Sequence, residues 1–178
     1  MVVVAISGLH GAGKTTAAKA LAKKFKLKYV CAGSVFRQIA KERGMTLDKF
    51  SKYAELHPNT DRMIDRRTAD AAKEDNVLID GRLAGWMAKK ADIKILLTAP
   101  LGVRAKRISQ REKRDYKEVL KETMTRERSE AKRFKKLYGI DVNNHSPFDI
   151  VLNTERLSIR EMTKILEAAV DRAIKKDL

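Results

Sequence analysis

The apolar positions along this chain follow two different periods. Residues 1–6 form a β-branched run without alternation, the pattern of a strand covered on both faces of a sheet. A glycine-rich stretch over 7–13 follows, and then Ala17, Ala18, Leu21 and Ala22 fall on a helical stripe within 14–24. A second strand is predicted at 28–31, closed by Ala32 and Gly33. Ser34 is placed to cap a helix reaching about Arg43, with Val35, Phe36, Ile39 and Ala40 inward and Gly44 ending it. A short helix is expected over 46–56. After His57 and Pro58 a longer one reaches about Lys73, with Met63 and Ile64 inward. Further strands are expected at 77–79, 93–98 and 148–152, with Trp86 and Met87 in a short helical or irregular piece. Helices should also begin near Gly102, span 116–138, and follow a Ser158–Glu161 capping box. The last is expected to be buried through Ile159, Met162, Ile165, Leu166, Ala169, Val170 and Ile174.

Five short strands separated mostly by helices predict an α/β protein, a three-layer sandwich around a five-stranded parallel sheet. One interval breaks the rhythm. A crossover between parallel strands needs one helix, yet residues 34–73 hold two or three, so they are read as a helical insertion over the carboxyl edge of the sheet.

Length and composition narrow the class. The 178 residues suit one domain with its own core, with no second full domain. A single cysteine excludes an internal disulfide and fits a reducing compartment. No apolar run approaches the roughly 20 residues that cross a bilayer, and a soluble, cytoplasmic protein is expected. The formal charge is +16, from 39 Lys and Arg against 23 Asp and Glu. Half of that excess sits between Leu101 and Tyr138, where 14 basic residues face 6 acidic ones. Such a field attracts nucleotides and polynucleotides alike. The high lysine content, with five asparagines and two glutamines, suits a heat-resistant source.

The chemistry enters at Gly8-Leu9-His10-Gly11-Ala12-Gly13-Lys14-Thr15, followed by Thr16. Glycine, four residues, then Gly-Lys-Thr is the P-loop pattern, here between a strand and a helix as it must be. Glycines let the backbone turn its N–H groups inward as an anion nest, and the helix adds its positive end. Lys14 is placed for the β- and γ-phosphates of a nucleotide and the Thr15 hydroxyl for Mg²⁺. His10, with no second histidine close in sequence, is read as a local packing or hydrogen-bonding group, and Cys31, between Val30 and Ala32, as an inert buried thiol. The chain is thus a P-loop NTPase-type domain with ATP and Mg²⁺ as the expected donor and metal.

The loop alone leaves kinases, GTPases and motor or transporter ATPases open. The Asn-Lys-x-Asp guanine reader of a GTPase is missing from 148–154, and so is a transporter's Ser-Gly-Gly signature. Asp80 ends a buried strand within reach of Mg²⁺ through water, and Gly81 and Arg82 follow directly. Arg37 lies one turn into the insertion and can face the same crevice, where a planar guanidinium suits a phosphate. Arg104, Arg107, Arg111 and Arg114, then Arg126 and Arg133, suggest a small arginine-rich lid around 108–116 that closes over polyphosphate. The competing interpretation of the same segment is a salt-bridged helix pair using Glu112, Glu118, Glu122, Glu127 and Glu130. An ATP-driven nucleic-acid binder is the distant alternative, but no aromatic pair, zinc knuckle or recognition helix supports it.

Together these segments resemble the nucleoside monophosphate kinases, most closely the archaeal-type cytidylate kinases. The resemblance rests on the P-loop, Ala32-Gly33-Ser34-Val35-Phe36-Arg37, Leu78-Ile79-Asp80-Gly81-Arg82-Leu83-Ala84-Gly85-Trp86, Arg126 to Arg133, and Phe148 to Thr154. It implies transfer of a phosphoryl group from ATP to CMP or dCMP, with kinases for UMP, AMP, shikimate or a sugar acid as alternatives. It further implies a monophosphate-binding subdomain at 34–73, with Ser34, Arg37, Arg62, Asp80, Gly81 and Arg82 on the acceptor side. Lys14, Arg82, Arg126 and Arg133 would serve the transferred phosphoryl, and Arg107, Asn153 and Thr154 the donor base or phosphates. Arg62, Asp65 and Arg66 are candidate readers of the acceptor base. Relatives often carry Asp in place of Ser34, and a smaller residue or proline at His10. A monomer is expected.

Overall fold

In the computed structural model, residues 2–71 and 73–175 are described, apart from the side chains of residues 67 and 68. They form strands β1 (Val3–Gly8), β2 (Lys28–Cys31), β3 (Val77–Asp80), β4 (Ile93–Thr98) and β5 (Ile150–Asn153). The helices are α1 (Lys14–Phe25), α2 (Ala32–Glu42), α3 (Leu47–Leu56), α4 (Pro58–Ala71), α5 (Ala84–Met87), α6 (Leu101–Glu112), α7 (Tyr116–Tyr138) and α8 (Ile159–Lys175). All strand pairings are parallel, in the order β2-β3-β1-β4-β5. The unbroken apolar run of β1 takes the middle, buried at every residue, with β3 and β4 paired along its two edges.

Alternate residues of β1 serve different layers. Val2, Val4 and Ile6 pack with Ala17, Leu21, Leu166 and Val170 under α1 and α8. Val3 and Ala5 point the other way, onto Ala71, Val77, Ile79, Ala84 and Ala88 beneath α4 and α5. These two apolar layers sandwich the sheet as expected. A third small cluster, Ala105, Ile108 and Val119, joins α6 and α7 into a hairpin. The Ser158–Glu161 capping box forms in both directions, and Thr46 and Asp115 cap α3 and α7.

Several expectations are corrected. The first inserted helix begins at Ala32, two residues before Ser34, so Ser34 is inside it and its hydroxyl donates to the Cys31 carbonyl at 2.7 Å. The fifth strand runs over Ile150–Asn153, shifted from 148–152 because Phe148 packs edge-on against Trp86 at 4.7 Å. Met63, Ile159 and Ile165 are exposed, at 44%, 64% and 42%. Helical spacing marks a face, but the buried stripe of α8 is the narrower Met162, Leu166, Val170, Ala173 line that meets α1.

Because the site lies outside the carboxyl ends of β1 and β3, their register fixes its geometry. Ile6 sits opposite Asp80, so the chain leaving β1 and the carboxylate ending β3 emerge side by side. Gly8 belongs to this junction. A Cβ there would stand 2.4 Å from the Leu97 carbonyl oxygen of β4, a backbone atom that cannot step aside. Gly8→Ala is therefore expected to lower the melting midpoint by several degrees, on the order of 1–3 kcal/mol, measurable by thermal denaturation of the purified variant.

Candidate active site

The loop between β1 and α1 turns on Gly11 at φ 78° and Gly13 at φ 99°, conformations that favour glycine. Its shape is held from behind. Arg104, buried on α6, donates to the His10 carbonyl at 2.9 Å and to the Ala99 carbonyl at 2.8 Å, and forms a two-pronged pair with Glu127. Arg104 and Arg107 thus leave α6 for different tasks. Thr154 supports the loop from the other flank. Its buried hydroxyl lies 3.0 Å from the Ala12 carbonyl and 3.1 Å from that of Thr98, and accepts from Arg107 at 3.0 Å. Lys14 folds back to donate to the Leu9 carbonyl at 3.0 Å. Burial lowers its pKa, with Asp80 working in the opposite direction.

Two cavities open on either side of this loop. The first joins Lys14 and Thr15 to Cys31, Gly33, Asp80 and Gly81, passes Arg37, Arg82 and Arg126, and ends among Phe36, Ile64, Phe134, Asp61, Asp65 and Arg133. Arg37 and Arg82 therefore line one crevice. The second lies over Gly11–Thr16, Arg107, Arg111, Leu157, Ser158, Ile159 and Met162. Ile159 forms part of that cavity wall, which accounts for its exposure. Asn153 is exposed, and its side-chain oxygen accepts from the Glu155 N–H. Arg62 and Arg66 are exposed and outside the first cavity's lining, whereas Asp65 between them is part of it.

Asp80 is buried, and its Oδ2 accepts from the Thr15 hydroxyl at 2.8 Å and from Tyr29 at 2.9 Å, with the Cys31 thiol 3.6 Å away. The expected inert thiol of Cys31 is half-buried and lines the crevice. Thr15 and Asp80 supply hard oxygen donors side by side, a pair that fits a cation keeping several of its waters, as Mg²⁺ does. Among the described residues no cluster of three or more His, Cys, Asp and Glu could hold a metal by itself.

The centre of the crevice holds a carboxylate that the sequence offered only as an ion-pair partner on a helix face. Glu130 accepts from His10 Nε2 at 2.8 Å through Oε1 and from Arg82 Nε at 3.2 Å through Oε2. Burial opposes its charge, but the donating His10 ring and the Arg82 and Arg126 guanidiniums outweigh burial and hold the carboxyl well below the usual range. Burial lowers the pKa of His10, Glu130 pulls it back up, and Arg126 and Lys14 lower it further. Arg126 has a buried Nε without a hydrogen-bond partner among the described residues. Glu130 lies four residues after Arg126 and three before Arg133, a spacing that places all three on one side of α7.

Arg133 is buried, and its guanidinium is occupied by protein groups. It pairs with Asp61 at 2.6 Å, donates to Ser129 Oγ at 2.6 Å, and sits over Phe36 and Phe134. Neighbouring Asp65 accepts from Tyr138 at 2.8 Å. Burial first, then Asp61 and Glu130, push Asp65 up to about 7 against the pull of Tyr138 and Arg133. At the α6–α7 turn Arg114 pairs with Glu122 and Glu112, and Arg111 with Glu112. The salt-bridged arrangement therefore forms at this turn, while Arg107 and Arg111 line the second cavity and Arg126 and Arg133 the first.

A central phosphate loop, a parallel sheet in this strand order and cavities on both sides of the loop define an α/β P-loop protein of the kinase type. The fold is similar to a shikimate kinase from Bacteroides thetaiotaomicron, with a TM-score of 0.61 and 16% identity over 96% of this chain and 98% of that one. It is likewise similar to an uncharacterized protein from Eubacterium ventriosum, with a TM-score of 0.67 and 17% identity over 96% and 99%. Residues 3–156 match the cytidylate kinase-like family, and the chain belongs to it. The cytidylate kinase of Pyrococcus horikoshii is 50% identical over 95% of this chain and 88% of its own. That of Methanocaldococcus jannaschii is 47% identical over 95% and 97%.

The Arg133–Asp61 pair gives a direct test of this geometry. Arg133→Met strands a buried carboxylate, which costs about 3–5 kcal/mol when the group is ionised. The loss of stability should be large at pH 8 and smaller at pH 5, where Asp61 can protonate instead. Chemical denaturation at the two pH values measures the difference.

Proposed function

We propose that this protein transfers the γ-phosphoryl group of ATP to CMP or dCMP, giving ADP and CDP or dCDP. The observation that carries the reading is the continuous crevice running from Lys14 and Thr15, past Arg37, Arg82 and Arg126, to an apolar slot closed by Asp61, Asp65 and Arg133. Family membership names the acceptor, and the crevice has the parts such an acceptor needs. The second cavity takes the donor, with Arg107 and Ile159 beside its base and Gly11–Thr16 around its phosphates.

The acceptor phosphate is largely dianionic at neutral pH, its second pKa being near 6. It needs no general base, and none is assigned. Transfer then depends on in-line placement and on charge stabilisation by Lys14, Arg82 and Arg126. Mg²⁺ held by Thr15 directly and Asp80 through water would neutralise phosphate charge. Phe36 and Phe134 flank the acceptor base, and Asp65 accepts from its exocyclic amine. Arg133 supports that slot through Asp61. Helices α2–α4 act as the acceptor subdomain, and the α6–α7 turn closes the donor side. Among the described residues no helix is long and apolar enough to cross a membrane. We place the protein in the cytoplasm as a monomer acting on small nucleotides.

An acceptor panel with ATP and Mg²⁺, scoring ADP release, tests the reading. CMP and dCMP should lead UMP, AMP and shikimate; shikimate leading would overturn it. Lys14→Ala should lower kcat/KM for CMP by at least about 10³-fold with its fold retained by circular dichroism. Asp65→Asn presents an amide that also donates, so the ratio of kcat/KM for CMP to that for UMP should fall roughly 10-fold or more. With a raised pKa, the folded carboxyl binds protons better than the unfolded one between about pH 4 and 7. Its contribution to stability therefore falls as pH rises through that window. Asp65→Asn should raise the melting midpoint more at pH 8 than at pH 5.

A further inference from the structure

A carboxylate in a crevice for two anionic nucleotides is an electrostatic cost to ground-state binding, and Glu130 is such a group. It is 6% exposed, inside the cavity lining, and ionised. Its two oxygens face different halves of the site. Oε1 takes His10, whose own carbonyl is held by Arg104 behind the phosphate loop, while Oε2 takes Arg82 on the segment leaving β3. Arg126, one turn earlier on the same helix, adds its positive charge beside Glu130, and its buried Nε has no hydrogen-bond partner among the described residues.

We propose that Glu130 is a positioning residue for phosphoryl transfer, tying the donor loop through His10 and the acceptor arginine Arg82 to α7 so that both substrates meet at a fixed distance. The inference rests on the kinase reading above and adds to it a residue that touches neither nucleotide. Three physical points support it. Both oxygens are engaged by side chains from two different crossover segments, so the carboxylate is a junction between them. Its charge offsets the repulsion among Lys14, Arg82 and Arg126 before any phosphate arrives. Finally, Arg82 reaches Glu130 through Nε, leaving the outer edge of its guanidinium to face the crevice for a phosphate.

This role separates binding from turnover. Removing the negative charge relieves repulsion toward phosphates, so ground-state affinity is kept or improved. The two halves lose their common anchor, and misplacement of about an ångström costs on the order of 10²-fold in rate. Glu130→Gln preserves size and is the variant of choice. Steady-state kinetics should show kcat lowered by about that factor, with KM for CMP and for ATP unchanged or lower and the CMP dissociation constant unchanged or lower by calorimetry. His10→Leu removes the same junction from the loop side, since leucine has no group to donate to the carboxylate. The double variant should be no slower than the slower single one, because both break one link.

Wild-type turnover of CMP is the internal control: its absence would sink the kinase reading, on which this one depends. With the wild type active, an undiminished kcat in Glu130→Gln, a rise in KM matching the fall in kcat, or independent losses that multiply in the double variant would overturn the positioning role. Should Glu130→Gln fail to fold, His10→Leu alone decides, with a lowered kcat at unraised KM supporting the role and wild-type kcat refuting it.

Discussion

Like charge has to be gathered in one place before any substrate is present to balance it. Lys14, Arg37, Arg82, Arg126 and Arg133 line a single crevice, partly withdrawn from water, where their mutual repulsion is poorly screened. The fold answers with a second set of groups interleaved among the first: Glu130 between His10, Arg82 and Arg126, Asp61 on Arg133, and Asp80 beside Lys14 and Thr15. Helix α7 supplies much of this arrangement from one face, and β3 delivers Asp80 and Arg82 within three residues. The packing of α7 against α3 and α6 is therefore as much a part of the site as the phosphate loop itself.

Two kinds of arginine result, and they look alike in the sequence. Arg104 and Arg133 have their guanidiniums occupied by carboxylates and carbonyls, and hold the loop and the far end of the crevice in shape. Arg126 keeps a buried, unengaged Nε among the described residues, and Arg82 is bonded on one side only. The first kind is costly to remove because a buried carboxylate is left alone. The second kind is poised for a ligand of opposite charge. Spacing along a helix cannot tell these apart, since each depends on which acidic group another element brings up.

What the sequence conveyed well was anything set by local periodicity or backbone chemistry. The unalternating run before Gly8 marked the central strand, the Gly-x4-Gly-Lys-Thr turn marked the anion nest, and the excess helices between β2 and β3 marked the insertion. Arg37 and Asp80-Gly81-Arg82, singled out by their residue types, do share a crevice. Less legible were features created by long-range approach. Glu130 meets a histidine 120 residues away, Asp61 meets Arg133 across 72, and Ile159 is exposed because it lines a cavity, although its helical spacing suggested burial. Thr154 lines the second cavity, and its hydroxyl also braces the loop from beneath, a contact its place in the sequence did not reveal.

That donor and acceptor occupy adjoining cavities around one loop is the claim on which everything else depends. Its most direct measurement is calorimetric titration with a bisubstrate analogue, adenosine and cytidine joined through five phosphates. One molecule should bind per chain, far more tightly than ATP or CMP alone because the second contact becomes intramolecular, and prior saturation with either nucleotide should weaken it. An analogue that binds no better than ATP, or that CMP fails to displace, would place the two nucleotides apart and contradict the shared crevice.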